Sequence, residues 1–166
     1  LYNAMSPLTS RAPGVVGAAL DDPDSWCGVI VDGHHVDAAS LRVALRAKPR
    51  GKIFLVTDAM PPVGAADPSY VLNGETITAR DGICQTDGGT LAGSALSMID
   101  AVRNTIDMLG VPLDEAARMA STYPADFLGL GAAHGRIEAG HRADFTVVDQ
   151  DLRVTETWIG GTREIA

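Results

Sequence analysis

The sequence predicts an α/β fold with a small β-rich element at its C-terminal end, and three observations carry that reading. Residues 26–58 read as strand–helix–strand, the βαβ pattern. Both strands of that unit are unbroken apolar runs, as suits parallel strands covered on both faces. The tail GRIEAGHRADFTVVDQDLRVTETWIGG alternates turn residues with short β-prone pieces, the mark of a small antiparallel sheet.

Taken in order, the chain opens with LYNAMSPLTSRAPG, an apolar, turn-rich stretch. No charged segment precedes a hydrophobic one there, so it does not read as a signal peptide. The first strand runs from Cys27 to Val31 and stops at Asp32, Gly33, His34 and His35. A helix follows from its N-cap Asp37 to Lys48, with Leu41, Ala44, Leu45 and the stem of Lys48 on one face, and Pro49 and Gly51 end it. The second strand, Ile53 to Val56, is stopped by Thr57, Asp58 and the pair Pro61–Pro62.

Over residues 63–90, Asn73–Gly74 and Asp81–Gly82 separate YVL, ETITAR and ICQT, which predicts a hairpin excursion. Ser94 is expected to cap a helix through Leu109, with Ile99, Val102, Ile106 and Leu109 on one face and Gly110 beyond its end. Pro112, at a first-turn position, opens another that carries Asp114 and Glu115 where the helix dipole favours anions, and it should stop or kink near Pro124. There is no internal repeat and no low-complexity linker.

Composition narrows the function classes. With 166 residues the chain is one domain or part of a larger protein. Its net charge of −8 argues against a nucleic-acid surface, which needs clustered Lys and Arg. The 46% hydrophobic and 20% charged content can build a core, which excludes intrinsic disorder. Apolar runs reach only about five residues, far short of the roughly 20 of a membrane span. Cys27 and Cys84 form neither a disulfide framework nor a zinc-finger spacing, so a reducing cytoplasm is expected.

Functional groups of parallel sheets gather at the carboxyl ends of the strands. There stand Asp32, His34 and His35 after the first strand and Asp58 after the second, a His–Asp set suited to acid–base work. The alternative is that Asp32 or Asp58 caps a helix and the two histidines are solvated. His134 and His141, in turn-rich polar context, read as surface histidines. Gly88, Gly89 and Gly93 around TLAGS could let backbone amides approach a ligand, but no P-loop Gly-Lys-Ser/Thr follows. Arg11 is the only Lys or Arg among the first forty residues, and its planar fork suits an anion such as phosphate. A solvated or salt-bridged Arg is the alternative there.

These residues together resemble the N-acetylglucosamine-6-phosphate deacetylase family of the amidohydrolase superfamily. The likeness runs over essentially the whole chain: LYNAM, Ser10-Arg11-Ala12-Pro13-Gly14, CGVIVDGHHVD, FLVTDAMPPVG, GTLAGS, Met119-Ala120-Ser121 with YPA, and the closing G-x-I-x-x-G-x-x-ADF. The last motif is shared across the superfamily; the combination of LYNAM, DGxHVD, VTDA and LAGS is specific to the group.

The resemblance implies the C-terminal part of a (β/α)₈ barrel. Residues 1–130 would supply its last strands, helices and a hairpin insertion, and residues 131–166 a small β domain segment. It implies a divalent metal, zinc by expectation, that activates water. It gives Asp58 the acid–base role and His35 the role of holding the substrate and polarising its carbonyl. Asn3, Ala4, Asp32, Gly33, His34, Leu91, Ala92 and Gly93 match substrate contacts, although the family often carries an apolar residue where His34 stands. Arg11 matches a phosphate-binding Arg that reaches across a dimer interface. The family's metal ligands, a Glu and two His, lie upstream of LYNAM, so none is matched in this chain. The chain is therefore expected to be the C-terminal portion of a cytoplasmic, homo-oligomeric enzyme acting on a sugar phosphate, and inactive in isolation. The competing expectations are an amidohydrolase for another acetamido sugar or cyclic amide, and a catalytically inactive fragment.

Overall fold

The computed structural model describes residues 1–164. Its centre is a parallel pair. Strand β1 (Cys27–Ile30) lies in register with β2 (Ile53–Val56), Cys27 against Ile53 through Ile30 against Val56. Before β1 stands α1 (Gly14–Asp21), a helix absent from the sequence reading, whose Val16 and Leu20 enter the core. The crossover between the strands is α2 (Ala38–Ala47), capped as expected by Asp37, whose carboxylate accepts from Ala39 N at 2.7 Å.

Lys48 follows α2 and is buried with its ammonium spent on α1 and the loop after it. It donates to the carbonyls of Ala19 and Asp22 and to Ser25 Oγ. A buried cation is tolerated there because its donors are met.

The excursion after β2 is a four-stranded antiparallel meander: β3 (Ser69–Leu72), β4 (Glu75–Arg80), β5 (Ile83–Thr86) and β6 (Leu91–Ser94). The two hairpins turn where the sequence signals them. Asn73 and Gly74 have φ of +52° and +86°, and Asp81 and Gly82 +53° and +86°, the left-handed pair a tight hairpin needs.

Ser94 is not the expected helix cap. It ends β6, and Ser97 caps α3 (Met98–Leu109) instead, accepting from Asp100 N. Ser94 is claimed by strand pairing: it bridges Ala59 in the parallel sense, so β6 lies alongside the continuation of β2. On the far edge, the backbone nitrogen of Leu1 donates to the Gly28 carbonyl of β1.

Helix α3 ends at Gly110 in the left-handed region, φ +70°, as expected. Pro112 is the N-cap residue of α4 (Leu113–Ala120) rather than a residue of its first turn. The break falls at Ser121, before Pro124, which sits inside the first turns of α5 (Thr122–Phe127) where its missing N–H costs little. The tail forms the expected antiparallel sheet, β7 (Phe145–Val148), β8 (Val154–Ile159) and β9 (Thr162–Glu164).

The main core joins Val29, Ile30 and Leu55 of the parallel strands to Leu41 and Ala44 of α2, Val102 of α3 and Met119 of α4. Its buried residues end at Tyr123, so the tail sheet contributes none. Cys27 and Cys84 are both free, as the sequence implied, and both are buried. Among the described residues no helix is long and apolar enough to cross a membrane.

Candidate active site

The loop leaving β1 is organised around one carboxylate. Oδ1 of Asp32 accepts from the backbone N–H groups of His34 and His35, each at 2.9 Å. Its Oδ2 lies 2.6 Å from Nδ1 of His35. Gly33, at φ +77°, supplies the left-handed residue of this tight turn. The side chains of Asp32 and His35 are 2% and 3% exposed. Burial pushes the Asp32 carboxyl up, but the hydrogen bonds from the His35 ring and from the His35 and His34 amides, with attraction to His35, outweigh it and hold it below its ordinary value. An ionised Asp32 can only accept, so Nδ1 carries the proton and Nε2 is the ring atom presented outward. Asp32 is thus no helix cap; Asp37 takes that role.

The segment leaving β2 brings the second carboxylate. Asp58 has φ +54°, unusual for a residue with a side chain. Its Oδ2 lies 3.5 Å from Nε2 of His35 and accepts from Asn3 Nδ2, also at 3.5 Å. The Asp58 side chain is 43% exposed. Asn3 stands between Tyr2 and Ala4, both in the left-handed region at φ +76° and +52°. The expected residues Asn3, Asp32, His35 and Asp58 therefore come together from three separate segments at the carboxyl end of the parallel strands.

Gly93 approaches the same place through its backbone. A Cβ there would lie 2.6 Å from Met60 Cγ and 3.0 Å from the Asp58 carbonyl, so only glycine fits. Leu91 and Ala92 precede it on β6, and Leu91 is exposed. The His34 ring is exposed and lies beside Gly82 of the β4–β5 turn, where a Cβ would be 3.5 Å from Nε2. Arg11 stands exposed in the turn that Thr9 and Ala12 close, and it makes no ion pair among the described residues. It is not bonded to the cluster.

Of the two turn-region histidines, Nδ1 of His134 is 3.6 Å from Asp144 Oδ2. His141 is more enclosed than a surface reading allows: Nε2 lies 3.1 Å from the Gly131 carbonyl and Nδ1 is buried without a partner.

The residue that sequence reasoning missed is Ser94. Its position in LAGS, just ahead of helix-forming residues, suggested a cap, and only the strand pairing shows it against the Asp58 segment.

Among the described residues no three His, Cys, Asp or Glu side chains converge as a metal site. The two ring nitrogens of His35 face Asp32 and Asp58, which makes a carboxylate-bracketed imidazole rather than a ligand set. These residues by themselves do not fit a metal centre. A cavity of about 360 Å³ lies at the opposite, amino end of β2, lined by Leu45, Pro49, Gly51, Val111 and Tyr123, away from this cluster.

Residues 1–163 match the Amidohydrolase family. The chain belongs to the amidohydrolase family. This amidohydrolase is 41% identical over 160 residues to a putative N-acetylgalactosamine-6-phosphate deacetylase of Escherichia coli K12, covering 96% of this chain and 95% of that protein. The crystal structure of N-acetylglucosamine-6-phosphate deacetylase from Pasteurella multocida superposes with a TM-score of 0.93 at 42% identity, over 100% of this chain and 44% of that one. An alanine variant of the Mycobacterium smegmatis N-acetyl-D-glucosamine-6-phosphate deacetylase, in complex with N-acetyl-D-glucosamine-6-phosphate, superposes with a TM-score of 0.87 at 36% identity. That match covers 98% of this chain and 44% of that one. Against several further curated deacetylases the chain spans 40–42% of their length.

Proposed function

We propose that this chain carries the acid–base and carbonyl-orienting residues of an enzyme that hydrolyses the acetamido group of N-acetylglucosamine 6-phosphate to glucosamine 6-phosphate and acetate. The observation that carries the reading is the Asp32–His35–Asp58 arrangement at the ends of adjacent parallel strands. Asp58, open to solvent, takes a proton from the attacking water and returns it to the nitrogen as the C–N bond breaks. His35, held by Asp32 through Nδ1, turns Nε2 toward the acetamido group, where it orients the substrate and polarises the carbonyl. Asn3 and the backbone at Gly93 flank the reacting group, with Ala4, Gly33, His34, Leu91 and Ala92 as the surrounding substrate contacts. Arg11 takes the 6-phosphate, in a neighbouring subunit's site if the enzyme is a dimer.

The family likeness supports reading residues 1–130 as the closing portion of a (β/α)₈ barrel and 131–166 as part of a β domain, in a cytoplasmic enzyme. The divalent metal that the resemblance implies, zinc by expectation, has no ligand set among the described residues. In our reading its Glu and His ligands belong to another part of a longer enzyme.

A second reading exchanges the sugar for its 4-epimer, N-acetylgalactosamine 6-phosphate, and the Escherichia coli relative favours it. Acetate release by the enzyme containing this chain separates the two. A kcat/KM at least about tenfold higher for the gluco sugar phosphate is the expected result, a difference of about 1.4 kcal/mol. The reverse preference selects the second reading, and no acetate from either sugar overturns both.

A further inference from the structure

We infer that Ser94 is the positioning residue that holds Asp58 in its reactive conformation. The inference rests on Asp58 being the acid–base group.

Four bonds join Ser94 to the segment that carries Asp58 and to the short link before α3. Its hydroxyl donates to the Thr57 carbonyl at 2.5 Å and accepts from Leu96 N at 3.1 Å. Its backbone N–H donates to the Asp58 carbonyl at 2.9 Å, and its own carbonyl accepts from Met60 N at 3.0 Å. Ser94 is 0% exposed. Every residue from Thr57 to Met60 except Ala59 is thus tied directly to this one serine, and Ala59 is its bridge partner.

The need for such a clamp follows from the backbone of Asp58. At φ +54° it occupies a region that a residue with a Cβ enters at a cost, and it persists only where the surroundings over-determine it. The aspartate side chain itself cannot do this, because its contacts are two at 3.5 Å. The two backbone bonds would survive in any strand pairing. The hydroxyl bond to Thr57 is specific to the side chain, and it fixes the peptide carbonyl immediately before Asp58. Gly93, at φ +149° just before Ser94, lets β6 approach this closely, because a Cβ there would collide with Met60 and the Asp58 carbonyl. Loss of the hydroxyl frees the Thr57–Asp58 peptide to rotate and carries the carboxylate off its line to the substrate, where a displacement of about 1 Å costs on the order of 10²-fold in rate.

The test uses the full enzyme that contains this chain and N-acetylglucosamine 6-phosphate as substrate. Ser94→Ala should lower kcat about 10- to 100-fold with KM within about twofold, because the substrate's other contacts are untouched. Ser94→Cys, which fills the space with a weaker donor, should fall between Ala and wild type. Thr105→Val is the matched control: Thr105 is equally buried, and its hydroxyl bonds only to Ala101 within α3. It should keep kcat while losing thermal stability. A kcat for Ser94→Ala within twofold of wild type, or an equal kcat loss in Thr105→Val, overturns the inference. Asp58→Asn is assayed alongside. If it retains normal kcat, the acid–base assignment has failed; if it is inactive while Ser94→Ala is normal, only the clamp has failed.

Discussion

The segments that leave β1 and β2 each deliver a carboxylate to the same place, and they treat it in opposite ways. Asp32 is 2% exposed and accepts from three N–H groups at 2.6–2.9 Å, so it is locked. Asp58 is 43% exposed with contacts at 3.5 Å, and what is fixed is its backbone. A buried carboxylate with three of its roughly four acceptor sites engaged can orient a neighbour but has little capacity left to accept a new proton. One with a held backbone and a loose head can meet water and give the proton up again. In the proposed mechanism, the division of labour between orienting and reacting rests on these hydrogen bonds rather than on the residue type.

That contrast can be broken most severely at Asp58. In the full enzyme Asp58→Asn should lower kcat by about 10²–10⁴-fold while substrate still binds, measured by turnover and by calorimetry with the sugar phosphate. Loss of binding instead of turnover would make Asp58 a substrate clamp. His35→Asn should reduce kcat/KM nearly as strongly, whereas His34→Leu should change it less than about threefold. If His34 is the more damaging site, the roles of the two histidines are exchanged.

Asp32→Asn sharpens the comparison at the locked end. Its effect on turnover should be about 10- to 100-fold, the scale of a partner that only orients. Its stability effect depends on pH, with the following sign. The Asp32 carboxyl lies below its unfolded value of about 3.9, so its contribution is complete above that value and is lost as pH falls through the lower folded value. Wild type and Asp32→Asn should therefore differ most in urea midpoint at pH 7 and converge below about pH 4. A difference that grows on acidification would contradict the direction assigned to Asp32. Arg11→Ala should cost roughly ten- to a hundredfold in kcat/KM for the phosphorylated sugar, from a charged contact of about 1.5–3 kcal/mol, and little for N-acetylglucosamine. An equal loss on both substrates would make its role structural.

Much of this was legible because local chemistry and tertiary structure agree. The apolar runs at Cys27–Val31 and Ile53–Val56, the Asp37 cap, the Asn73–Gly74 and Asp81–Gly82 turns and the Gly110 stop each act within a few residues, and each stands as read except that the first strand ends one residue earlier, at Ile30. The gathering of Asp32, His35 and Asp58 was legible for the same reason, since a βαβ unit places consecutive strand ends side by side. Helix α1 was not, because VVGAAL lacks charged punctuation and its cap residue, Pro13, makes no side-chain bond. Ser94 reads as a helix cap because serine stands before an apolar stretch, while the competing signal, pairing with Ala59, comes from a segment on the far side of the meander. Arg11 stays the least readable residue, for no hydrogen bond or ion pair among the described residues fixes where its fork points.

The meander between β2 and β6 has a consequence for how the chain can vary. Strand direction alternates through it, and β6 must run parallel to the continuation of β2 for Ser94 to meet Thr57. Removing or adding one strand would reverse β6; removing or adding a hairpin would leave its direction unchanged. Lengthening a chain excursion costs little in closure entropy, about 0.6 kcal/mol per doubling. The excursion is therefore a parity-constrained insertion point, where growth or loss by two strands at a time keeps β6 parallel to the continuation of β2.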